Sequence, residues 1–164
     1  MPKRISIMLA LALLAGAQQQ KPDDVDRIRF YQSAASLSLS GAGGAITLQL
    51  PAKAGTRVYA QTAVVRCSVA CTVTQERDGS AATATAVTPV ALNGGATPAA
   101  TLYQGSSSTG GSSLLPLSLS AGQAVTLDMT FTAFKRNADA AQNHTWRVSS
   151  ITGTFDVGVI WGER

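Results

Sequence analysis

The chain has 164 residues and a formal net charge of +4; 45% of its residues are apolar and only 13% charged, against a usual charged share of roughly 25%. That length suits one domain around one core, and so low a charge excludes the charge-rich composition of a disordered chain. The basic residues are scattered, with no run longer than Lys3-Arg4 or Lys135-Arg136, so the concentrated positive footprint of nucleic-acid binding is missing and no nucleic-acid partner is expected.

Residues 1–17 read as a secretory signal peptide. Lys3 and Arg4 give a basic start, Ile5 to Leu14 an apolar stretch, and Ala15-Gly16-Ala17 the small-x-small pattern of a signal-peptidase site. Ile5 to Ala17 falls well short of the roughly 20 residues that cross a bilayer as a helix. Losing Lys3 and Arg4 would lower the net charge from +4 to +2. Leu14-Ala15-Gly16 also begins like a lipoprotein box, but Ala17 stands where the lipid-bearing Cys is required, so no lipid anchor is expected. Residues 18–27 form a polar, Pro-containing leader, and residues 28–164 the folded domain. No membrane span is expected after signal cleavage, and the expected location is secreted or extracytoplasmic, in the periplasm or at the cell surface.

From Ile28 onward the dominant signal is period two, the mark of strands with one buried face. Ile46, Leu48 and Leu50 alternate with Thr47 and Gln49; Val125, Leu127, Met129 and Phe131 alternate with Thr126, Asp128 and Thr130; Phe155, Val157, Val159 and Trp161 alternate with Thr154, Asp156, Gly158 and Ile160. Turn chemistry is expected at Gly41 to Gly44, Pro51 to Gly55, Asp78-Gly79, Asn93-Gly94-Gly95, Gly105 to Ser113, Ala121-Gly122 and Thr152-Gly153. Arg77-Asp78-Gly79-Ser80 suits a hairpin, and Ala138 to Gln142 could form one helical turn. Leu48 to Gly55 and Leu117 to Gly122 share a strand-then-small-residue cadence, read as two separate solutions to one kind of turn.

Roughly eight to ten short, evenly spaced strands predict an all-β, single antiparallel β-sandwich, jelly-roll-like in preference to immunoglobulin-like. In strand count and spacing the stretch from Phe30 to Trp161 resembles the compact jelly rolls of the tumour-necrosis-factor and C1q type. That resemblance implies trimerisation and carries no functional residue across.

Cys67 and Cys71 are the only thiols, and an oxidising compartment favours pairing them. On one regular strand their Cα atoms would lie about 13 Å apart, beyond the roughly 7 Å a disulfide spans. A bond therefore needs Ser68-Val69-Ala70 to bulge or turn; the alternative is two small buried residues on a continuous strand.

Chemistry is sparse. His144 is the only histidine, in the polar stretch Gln142 to Thr145; it is read as a surface loop or strand-start residue and is the sole candidate base of a Ser-His-Asp mechanism. No G-x-S-x-G elbow accompanies it. Glu76 and Glu163 are the only glutamates and nothing pairs them for glycoside hydrolysis. Asp24-Val25-Asp26 lacks the glycine and distal glutamate of a calcium loop, Gly41-Ala42-Gly43-Gly44 completes no nucleotide motif, and a zinc site lacks ligands; no catalytic, metal or cofactor-binding residue is assigned. Gly105 to Ser113 reads as a flexible connector.

Aromatic rings remain a route to sugar binding. Trp161, in phase with Phe155 and Val157, and Trp146, in phase with Val148, are read first as core; Trp146 and Tyr103 are the candidate stacking residues, with Tyr31 and Tyr59 the other tyrosines considered. Asn143-His144-Thr145 fits an N-glycosylation sequon. The expected function is therefore a non-catalytic structural or interaction module that associates with itself, as a homo-oligomer, or with another surface component. The alternatives are a carbohydrate-binding module with a polysaccharide ligand, or a small hydrolase using His144.

Overall fold

The computed structural model describes residues 28–50, 58–77, 80–82, 84–93, 97–109, 112–129 and 142–163. The signal peptide, the leader with Asp24-Val25-Asp26, the Pro51 to Gly55 turn, Asp78-Gly79, Gly94-Gly95, Phe131 and residues 138–141 of the expected helical turn lie outside them.

The described chain is all-β and antiparallel, with no helix. Its strands are β1 (Arg29–Leu50), β2 (Val58–Cys67), β3 (Cys71–Arg77), β4 (Ser80–Ala82), β5 (Thr85–Val87), β6 (Val90–Ala91), β7 (Thr101–Gly105), β8 (Ser107–Thr109), β9 (Ser112–Leu119), β10 (Ala124–Asp128) and β11 (Gln142–Glu163). All but β4 and β8 belong to one nine-stranded sheet; β4 and β8 pair as a separate ribbon that packs against β1 and β11.

The long strands β1 and β11 pair from Arg29↔Glu163 to Leu50↔Gln142, with register shifts around Ala42. This corner divides the sheet into two sections. In the first, the order is β10-β2-β11-β1, with β6 beyond β1; in the second, it is β9-β3-β11-β1-β7-β5. The chain also passes between sections from β2 to β3 and from β9 to β10. The sheet is not closed on itself.

Glycine chemistry explains the corner. Gly41 has φ of +77°, which a side chain disfavours, and its carbonyl accepts a bond from Ser150 Oγ. The shifts change which residues face inward: Tyr31, Ser33 and Ala35 before the corner, Ile46 and Leu48 after it; on β11, Trp146 and Val148 on one side and Phe155, Val157 and Val159 on the other. Gly41 to Gly44 and Thr152-Gly153 are therefore bends inside strands rather than the expected turns. The expected turn at Ala121-Gly122 is present, with Gly122 at φ +72° and Gln123 N–H donating to the Ser120 carbonyl at 3.0 Å.

Among the described residues β3 and β4 do not pair with each other: β3 pairs with β11 and β9, and β4 with β8. The expected connector from Gly105 to Ser113 is corrected: its described residues Gly105, Ser107 to Thr109 and Ser112-Ser113 lie in β7, β8 and β9, where they supply ladder partners.

Inward residues of both sections form one hydrophobic cluster, including Tyr31, Val65, Val157 and Trp161 from the first and Ile46, Leu48, Val73 and Trp146 from the second. Cys67 and Cys71 are bonded, with Cα atoms 6.4 Å apart. The chain turns at Ser68 to Ala70, where Ser68 N–H donates to the Thr154 carbonyl at 2.9 Å and Thr154 N–H donates to Ser68 Oγ at 2.8 Å.

Candidate functional site

His144 is buried within β11, between Leu48 and Arg77 in register, which corrects its reading as a surface residue. Its ring tilts over Trp146 with centroids 4.5 Å apart. Burial, and secondarily the positive charge of Arg77, lowers its pKa from 6.5 to about 4. The imidazole is thus neutral at pH 7, in the core under the sheet.

The two glutamates lie in different sections, each tied to its own partners. Glu76 receives Arg147 Nε at 2.6 Å beside the buried Thr47–Thr145 hydroxyl pair, 2.8 Å apart. Glu163 accepts from Ala99 N–H at 2.7 Å, Ala100 N–H at 2.8 Å and Trp161 Nε1 at 3.0 Å. Every one of these bonds fixes a backbone or a neighbouring side chain. Neither pattern nor spacing reveals these partners, because Ala99, Ala100 and Arg147 lie about 60 to 70 positions away along the chain.

Both tryptophans are fully buried. Trp161 stacks on Tyr31 with centroids 5.9 Å apart, and Trp146 is packed among core residues with no ring face at the surface. Tyr103 is half-buried on β7, opposite Thr47. Trp146 and Tyr103 therefore form no exposed pair of rings. The amide oxygen of Asn143 is also buried. Among the described residues no three His, Cys, Asp or Glu side chains are grouped to hold a metal, and no helix is long and apolar enough to cross a membrane.

The outer face of the first section offers a surface of a different kind. One row across it runs Thr126, Val64, Gly158, Ala34; the next runs Asp128, Thr62, Ile160, Gln32, Val90. Between them lies an open trough of about 490 Å³ whose lining, including Gln32, Ala34, Thr62, Val64, Val90 and Ile160, contains no charged residue. Gly158 leaves its floor low: a Cβ there would meet only the Ala34 Cβ, at 3.9 Å. Val64 and Val90 keep 41% and 55% of their surface in solvent. Asp128 stands at the β10 end of the second row, outside the lining, and the row beyond the first carries Arg66 opposite Asp156, whose carboxylate accepts from Ser36 Oγ.

A signal for this face existed. Val64, between Ala63 and Val65, and Ile160, between Val159 and Trp161, are apolar at positions where the alternation calls for polar residues. Compared with known proteins, the chain matches no family model, no curated protein and no solved structure.

Proposed function

We propose that the chain is an extracytoplasmic, non-catalytic jelly-roll module that acts by binding protein surfaces, including other copies of itself, through the outer face of its first section. The jelly-roll reading is supported by strand order: β1, β11, the β2–β3 segment and the β9–β10 segment each pass from one section to the other and lie side by side in both. The location is supported by the Cys67–Cys71 bond, a bond of oxidising compartments, together with the signal-like start of the sequence.

The uncharged trough carries the functional reading. Val64 and Val90 expose apolar surface on a regular sheet face, with Ala34 and Gly158 between them admitting a partner's side chains. A contiguous apolar patch of this sort marks interaction surfaces, and a low-charge protein has little repulsion to keep copies apart.

Size-exclusion chromatography with light scattering tests the reading. A discrete oligomer is expected for the wild-type chain, with its dissociation constant raised at least tenfold by Val64→Asp. A wild-type monomer at millimolar concentration that also recruits no protein through this face would overturn it.

A further inference from the structure

We infer that the Cys67–Cys71 bond is a thiol-exchange site with a fixed direction: a small hydrophilic thiol reaches Cys71 through a cleft at the corner, bonds there as a mixed disulfide, and leaves Cys67 as a buried thiol. The cleft is separate from the trough and shares no lining residue with it.

The cleft arises where β3 parts from β11. These strands pair only from His144↔Arg77 to Val148↔Val73. Past that point β11 runs on through Ser149, Ser150 and Ile151 toward the first section, while β3 begins at Cys71, with Cys71 opposite Leu119 of β9 and Thr72 opposite Ser118. The gap between them is an open cleft of about 410 Å³, lined by Cys71 and by the exposed Thr72, Ser118, Ser149 and Ser150. That volume lies in the range that holds small ligands. The lining is rich in hydroxyls and carries no charge, so a polar thiol keeps hydrogen-bonding partners on entry and its thiolate meets no carboxylate there.

The two sulfur-bearing residues differ in access. Cys67 has 0% of its surface in solvent, belongs to the core and lies opposite Phe155. Cys71 is partly exposed. Exchange requires a thiolate to reach a disulfide sulfur, and the cleft offers it Cys71. The external sulfur forms a bond to Cys71 Sγ as the Cys67–Cys71 bond breaks. The electron pair of the broken bond goes to Cys67 Sγ, which takes up a proton in place of the one the external thiol gave to water. One S–S bond replaces another, and Cys67 stays in the core as a small apolar side chain, a role that suits a reduced cysteine. The return follows the same path: Cys67 attacks Cys71 Sγ and expels the external thiol. Oxidation of the folded dithiol by a small disulfide therefore begins at Cys71 and is completed by Cys67.

Backbone bonds independent of the sulfurs hold both residues in place during the exchange. Gly122 N–H donates to the Cys67 carbonyl at 2.9 Å, and Ser68 is bonded through its amide and its hydroxyl to Thr154.

Two single variants of the full chain test the inference. Cys67→Ala leaves Cys71 as the only thiol, and Cys71→Ala leaves Cys67. In native buffer with oxidised glutathione, mass spectrometry should show the mixed disulfide forming at least tenfold faster in Cys67→Ala than in Cys71→Ala, and the difference should vanish in guanidinium. A smaller native ratio, or a faster reaction in Cys71→Ala, overturns the inference. If either variant does not fold, the wild type decides alone: its reduction by dithiothreitol in native buffer should quicken in proportion to dithiothreitol concentration, as direct attack through the cleft requires. A rate that levels off with concentration shows that the chain must first open, and overturns it.

Discussion

The indole Nε1 of Trp161 donates to Glu163 Oε1, 3.0 Å away and two residues along the same strand. Both side chains point to one face, and the same carboxylate receives the amides of Ala99 and Ala100. One acidic group thus ties the last described strand to the segment before β7 while satisfying a buried indole. Glu163→Ala leaves all three donors without that acceptor, at a cost of about 1–3 kcal/mol for each that stays dry. A loss on the order of 3 kcal/mol in urea unfolding is expected, with Glu163→Gln intermediate; an alanine variant as stable as the wild type would show that these bonds contribute nothing net.

The Cys67–Cys71 bond closes a short loop at the point where β2 leaves the first section and β3 enters the second. On the chain-entropy account a loop this small contributes about 2 kcal/mol. Unfolding free energies with and without reductant should differ by that amount, and Cys67→Ala/Cys71→Ala should have the stability of the reduced wild type whether or not reductant is present.

Gly153 lies against the same corner. A Cβ there would meet Ser68 Oγ at 2.5 Å and both Val69 methyls at 3.3 Å, and Ser68 Oγ is held by Thr154 N–H. Gly153→Ala should cost about 1–3 kcal/mol through overpacking. In the background of Ser68→Gly, which removes the obstructing oxygen, the penalty should shrink by more than about 0.5 kcal/mol, a coupling readable in a double-mutant cycle. Additive effects would place the strain elsewhere.

His144 makes stability depend on pH. Its pKa is lowered from 6.5 to about 4, so between those values the unfolded chain takes up a proton that the folded chain refuses. The contribution of the neutral imidazole is complete above pH 6.5 and is lost as pH falls through 4, a change on the order of 3 kcal/mol. Denaturation curves from pH 3.5 to 7 should show a steeper acid loss in the wild type than in His144→Gln. Parallel curves for the two proteins would remove His144 as the cause.

The strand class was legible because outward positions on the clearest strands are polar: Thr154 and Asp156 against Phe155 and Val157 are enough to assign a buried face. What misled was the meaning of glycine. Gly41 and Gly153 look like turn residues in any window of ten, and only the pairing of β1 with β11 shows them bending strands that continue. His144 was misplaced for a related reason: its neighbours Gln142, Asn143 and Thr145 suggest solvent, yet Thr145 is itself buried and paired with the hydroxyl of Thr47, 98 residues distant. The disulfide was undecidable locally, because whether Ser68 to Ala70 turns depends on Thr154, whose amide and carbonyl hold Ser68. The trough was visible only as a break in pattern, at Val64 and Ile160.

Arg29 lies opposite Glu163 at one end of a ladder that runs the length of the first and last described strands. Nearly every described residue therefore lies within the loop that this pairing closes. Native contacts so distant along the chain make for a slow search and a late barrier, and neither section can be completed before β11 arrives, because β11 is a central strand of both. Without β11, β2 and β3 each lack one neighbour and β1 lacks its longest partner. Shortening the chain from the C-terminal side should therefore abolish the whole fold at once instead of peeling off one edge.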